Sequence, residues 1–168
     1  MRLYTPNHFE KINNNNNTEI INENSEQRIE FNVMPNKKVN ETLKINRYIV
    51  SSNKIQAFFD RNYQTDMLKS PNHFIFISAL VNLQKMIYIL MCKHLNIEYS
   101  PLESEKLKIW PIKTDVDMNG MIRKKKNVMQ DFKVESIEKL ANNKYILKGI
   151  STSESTIKIS GSALIYKL

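Results

Sequence analysis

His73 follows a polar stretch, Asn62 to Asn72, and stands at the head of a long apolar run. An imidazole in that setting can orient a water molecule or bind a carbonyl group near neutral pH. The apolar run then carries two amides, Asn82 and Gln84, and a phenol, Tyr88. Tyr63 lies in the polar stretch before it. Amides and phenols donate hydrogen bonds to a carbonyl oxygen or hold an attacking water. Such groups can serve proton transfer or hydrogen bonding at a polar substrate, and their types alone do not single out one reaction. His73, Gln84, Asn82 and Tyr63 are the catalytic candidates. Tyr88, Arg123 and Lys124 are the substrate-binding candidates. Each has a plainer reading. His73 can cap or pack against a helix start. Ser78, Asn82 and Lys85, spaced i, i+4 and i+7, can form one polar stripe at a dimer interface or a solvent edge. Tyrosines commonly just pack. Arg123 to Lys126 can be a solvated edge strand, where lysines guard against aggregation.

Other chemistries find little support. Cys92 is the single cysteine and sits in the apolar run. It allows no intramolecular disulfide and no zinc site built on several thiolates. His94 is two positions on, and residues i and i+2 do not face each other on a helix, so Cys92 reads as a packed core thiol. Three glycines leave no phosphate-binding loop or dinucleotide fingerprint. No metal ligand set or cofactor site is apparent. No acidic residue occurs between Asp66 and Glu98, so the run offers no helical carboxylate.

The formal charge of +8 favours anionic partners by steering and local attraction. An abundance of Lys, Asn and Ile offers a compositional explanation as well. Nucleic acid is disfavoured, because the basic run 123–126 has no aromatic interleaving. The first residues, Met1 to Pro6, contain no signal-peptide core, and a lone buried thiol fits a reducing, cytoplasmic setting.

The elements that must position the candidates read as follows. Phe74 to Cys92 is uninterrupted by Gly or Pro and too long for one strand. It predicts a central helix over residues 73–95, entered at Pro71 and stopped by Pro101. The run is about long enough to span a bilayer. Ser78, Asn82, Gln84 and a central Lys85 argue against a membrane span. Residues 1–27, with Asn13 to Asn17 in a row, predict a weakly ordered N-terminal arm, because they offer too little apolar surface to offset ordering entropy. A single domain over 28–168 follows.

Arg28 to Met34, Ile45 to Val50 and Lys54 to Asp60 predict strands before the helix, with Asn62 to Asn72 irregular. Lys106 to Ile112, Phe132 to Ile137, Lys144 to Ile150 and Thr156 to Leu168 predict strands after it. In the last strand Ile157, Ile159, Gly161, Ala163 and Ile165 share one face. Small Gly161 and Ala163 would let that strand pass close over the helix. The predicted class is α+β: an antiparallel sheet of about five or six strands wrapped around one long central helix.

That outline is the outline of a hot-dog domain, and two segments resemble the FcoT-type family, the type III long-chain fatty acyl-CoA thioesterases. The family enters its central helix at Gly-His-Phe and has an Asn-Gln-Leu-Ala-Tyr-like stretch about three turns later. Asn72-His73-Phe74 and Gln84-Lys85-Met86-Ile87-Tyr88 are similar to these, at matching separations. Ile122-Arg123-Lys124 and Phe132-Lys133-Val134 look like the family's later strands. The resemblance covers roughly residues 50–168. It implies hydrolysis of a fatty acyl thioester carried by coenzyme A or an acyl carrier protein, without a cofactor, in a homodimer whose sites are built from two chains. In that setting Arg123 and Lys124 would meet coenzyme A phosphates or an acidic carrier. A non-catalytic acyl-binding or carrier-docking module is the alternative.

Overall fold

The structure is a computed structural model that describes residues 2–4, 18–69, 71–102 and 105–168. Its described elements are strands β1 (Arg2–Tyr4), β2 (Glu19–Met34), β3 (Lys37–Val50) and β4 (Lys54–Thr65), helix α1 (Phe76–His94), and strands β5 (Leu107–Met118), β6 (Val128–Ala141), β7 (Lys144–Ser153) and β8 (Ile157–Lys167). The sheet order is β2-β3-β4-β6-β7-β8-β5, with β1 paired to β6 beside that path. Every pairing is antiparallel. The sheet curls around α1, which is the hot-dog arrangement.

The topology follows from one crossover. Consecutive strands β2, β3 and β4 are joined by tight turns, as are β6, β7 and β8. The chain leaves β4 in the middle of the sheet and returns as β5 at its far edge, beyond β8. Helix α1 is that connection and lies across the curl. Its apolarity is accounted for by burial: Met86, Leu90 and Met91 are wholly enclosed. Burying a side chain of this size is worth about 1.5–3 kcal/mol. Asn96 ends the helix in the left-handed region at φ 54°, and the Ile97 N–H bonds the Cys92 carbonyl at 2.8 Å.

Alternation sets the inner faces. On β3, Val39, Glu41, Leu43 and Ile45 point inward; a bulge between Ile45 and Arg47 then moves the inward phase to Tyr48 and Val50. On β4 the inward set is Ile55, Ala57, Phe59 and Arg61. Two of these inward residues, Glu41 and Arg61, are charged.

Several expectations need adjustment. The sheet is larger than five or six strands. Lys37 to Lys44 reads as polar, yet alternate residues turn into the core. Strand β2 begins at Glu19 and runs unbroken through residue 28; Ile20 and Ile21 pair opposite Ile49 and Tyr48. The predicted arm residues 5–17 lie outside the described residues. Strand β4 continues to Thr65, so Tyr63 is a strand residue and not a loop residue. Arg123 to Lys126 is an irregular segment and not an edge strand. Gly161 does not serve contact with the helix. A Cβ there would lie 2.0 Å from the Lys113 carbonyl oxygen, so the glycine makes room for the bulge of β5 at Pro111/Lys113.

Candidate functional site

The helix begins three residues after His73, and the reason is local. Ile75, the N-cap residue, is extended (φ −92°, ψ 150°). The Phe74 N–H is spent on the Ile122 carbonyl at 2.8 Å, tying the loop before α1 to the 119–127 segment. Phe74 itself is fully buried against Phe59, with ring centroids 5.3 Å apart. No side chain caps α1. His73 sits beside this helix entry, partly exposed. Its Nδ1 lies 2.8 Å from the Pro71 carbonyl, and its ring is 6.2 Å from that of Tyr63. The structure thus brings His73 and Tyr63 together.

A buried ion pair lies beneath this corner. Leu43 faces Arg61 across the β3–β4 ladder and Glu41 faces Tyr63, so Glu41 and Arg61 are diagonal neighbours on the inner face. Arg61 Nη2 is 3.2 Å from Glu41 Oε2, and neither side chain is exposed. The same Nη2 donates to Asn72 Oδ1 at 2.7 Å, and Nη1 donates to the Lys124 carbonyl at 3.1 Å. Burial pushes the Glu41 carboxyl up from its ordinary range; Arg61, the Ser78 hydroxyl and His73 pull it back less strongly.

The remaining candidates lie further along α1. Gln84 is exposed and faces a cleft of about 260 Å³ between α1 and strands β5, β7 and β8. Leu80, Val81, Ile87, Ile109 and Ala163 make this cleft mainly apolar. Gly149 and Gly161 sit in its wall. A second hollow of about 330 Å³ shares Val81, Gln84 and Ile109 with it and adds Gln27, Lys85 and Tyr88. The two form one groove along the flank of α1, with Gln84 at the junction. Tyr88 is nearly buried, and its hydroxyl accepts the Lys106 N–H at 3.3 Å.

Asn82 does not face the groove. It is fully buried, donates to Gln130 Oε1 at 2.9 Å and accepts from Gln27 at 3.4 Å. Gln130 in turn donates to the Ala79 carbonyl at 2.9 Å and the Ser151 hydroxyl at 3.0 Å. This network fixes α1 to β6 and β7. The expected polar stripe of Ser78, Asn82 and Lys85 is not an outer surface, because Ser78 and Asn82 both point into the sheet.

Of the basic run, Lys124 reaches Glu154 at 3.0 Å and Lys126 reaches Asp60 at 3.3 Å, so part of its charge is already matched. Cys92 is wholly buried, and burial raises its thiol pKa, as a core thiol requires.

Sequence reasoning did not anticipate Glu41 and Arg61. The signal was present: each stands in register with the inward alternation of its strand. A second buried acid, Glu23, was also missed; Tyr99 and Ser25 donate their hydroxyls to it.

No family model matches this chain, and no curated protein does. Solved structures resemble it in outline. A thioesterase from Haemophilus influenzae shares 8% identity over 75% of this chain and 79% of its own, with a TM-score of 0.44. A mutant thioesterase from Pseudomonas aeruginosa shares 7% over 75% and 82%, at 0.43. A mutant of a fluoroacetyl-CoA-specific thioesterase shares 8% over 61% and 68%, at 0.40.

Proposed function

We propose that the protein hydrolyses a fatty acyl thioester, with the acyl chain lying in the groove along α1. The observation that carries this reading is the groove itself: an apolar slot beside the central helix with one amide, Gln84, placed in its wall. An extended apolar chain fits such a slot, and the amide supplies a hydrogen bond to a carbonyl. Water adds to the thioester carbonyl carbon, the carbon–sulfur bond breaks, and the thiolate leaves and takes up a proton. His73 accepts the proton of the attacking water. The first N–H groups of α1, without a side-chain cap, face developing negative charge favourably.

The geometry also supports a homodimer with shared sites. At about 1.5 Å per helical residue, Gln84 lies about 12 Å along the axis from Phe76. His73 precedes Phe76, and a site shared between two chains lets both residues act on one carbonyl without spanning that distance. Edge strand β5 exposes Trp110 and Ile112, and α1 exposes Phe76 and Val81. Exposed apolar side chains on an edge strand suit pairing with a second copy. The shared-site reading requires a dimer that brings one protomer's His73 towards its partner's groove. The carrier of the acyl group, coenzyme A or a carrier protein, would meet Arg123 and Lys124.

The test is thiol release from a panel of acyl-CoA and acyl-carrier thioesters of varied chain length. Hydrolysis with a chain-length optimum is the expected result. Tight acyl binding without thiol release from any of them would replace this reading with a non-catalytic acyl-binding module.

A further inference from the structure

We propose that Arg61 is the positioning residue of this site: its buried guanidinium tethers the loop bearing His73 and the segment bearing Lys124 to the inner face of the sheet. The proposal rests on the hydrolytic reading of His73 for its functional meaning, but the tether itself stands on geometry alone. Arg61 enters the interior on the alternation of β4, behind Ala57 and Phe59. A cation there needs a partner, and Glu41 on β3 supplies it. An ion pair would have been satisfied by a lysine. The guanidinium does more, because its planar fork serves several acceptors at fixed angles. One donor reaches Asn72, the residue immediately before His73, at 2.7 Å. Another reaches the Lys124 carbonyl at 3.1 Å. The Arg61 backbone N–H adds the Lys125 carbonyl at 2.8 Å. The two irregular segments are then joined directly, Phe74 N–H to Ile122 carbonyl. Neither segment has secondary structure of its own to hold it, so a mobile His73 is what the chain would otherwise give.

Hydrogen exchange and steady-state kinetics test this together. Asn72→Ala removes one arm of the tether and leaves the Glu41–Arg61 pair in place, so the fold is retained. It should speed exchange of the Phe74 amide by about 10-fold or more while amides of β7 stay protected. It should lower kcat by about 10- to 100-fold with little change in KM, as expected for misplacement of a reacting group. Asn72→Asp keeps an oxygen for Arg61 and should restore both. Arg61→Lys keeps the charge but not the fork and should behave like Asn72→Ala. If Phe74 exchange and kcat are unchanged in both Asn72→Ala and Arg61→Lys while His73→Ala abolishes turnover, the tether is wrong and the hydrolytic reading stands. If Phe74 exchange rises as expected but His73→Ala leaves turnover intact, the tether stands and the role given to His73 falls.

Discussion

Mixing two inactive variants would decide whether each site is built from two chains. His73→Ala and Gln84→Ala remove one residue just before the start of α1 and one at its middle. The axial span from Phe76 to Gln84 is about 12 Å, whereas a carbonyl oxygen accepts hydrogen bonds from donors only about 3 Å away. On the shared-site reading the two residues that serve one carbonyl come from different protomers. Each variant alone should lose about 10²–10³ in kcat, as for loss of a group acting at developing charge. In a two-fold dimer, random exchange of equal amounts makes about half of the dimers mixed, and each mixed dimer holds one intact site of two. Activity should therefore return to about a quarter of wild type. The assay is thiol release after the two proteins are mixed, unfolded and refolded together, against each refolded alone. Activity no greater than the mean of the two variants would refute the shared site, and with it the assignment of Gln84 and His73 to one carbonyl.

Gly161→Ala should destabilise the protein by about 1–3 kcal/mol or more in urea unfolding, because the added Cβ meets the Lys113 carbonyl at 2.0 Å, and backbone there cannot move aside cheaply. Glu41→Gln should cost about 3–5 kcal/mol by leaving Arg61 buried without its counter-charge, again read by urea unfolding. Burial depresses His94 from its ordinary 6.5 to about 4. At 1.36 kcal/mol per pKa unit that is worth about 3 kcal/mol, and the helix C-terminus offsets only about 0.3–1 kcal/mol of it. A base held neutral by folding contributes stability that is present above pH 6.5 and lost as pH falls towards 4, so His94→Leu should flatten the unfolding free energy across that window. Cys92→Ala should leave turnover nearly intact in the thiol-release assay, since its buried thiol has no part in the groove.

The chain declared its helix and its wrapping sheet because both rest on patterns that a single segment carries. Phe74 to Cys92 has no breaker, and Ile157 to Ile165 alternates cleanly. What it concealed depends on pairing across segments. Lys37 to Lys44 looks like a polar loop until its inward residues are placed opposite those of β4. Tyr63 looked like a loop residue for the same reason, since Asn62 to Thr65 is a strand only because β3 is there to receive it. The candidate site divides the same way. Asn82 and Gln84 are two positions apart on one helix, so they face different directions: one anchors α1 to Gln130, the other opens on the groove. No property of the two amides distinguishes them. Only the position of the sheet decides which is spent on structure. Glu41 and Arg61 are the reverse case. Each occupies a position that alternation assigns to the core, where a charge is costly unless matched. Two such violations on neighbouring strands compensate each other, and the surplus donors of the guanidinium are what reach the loop before α1.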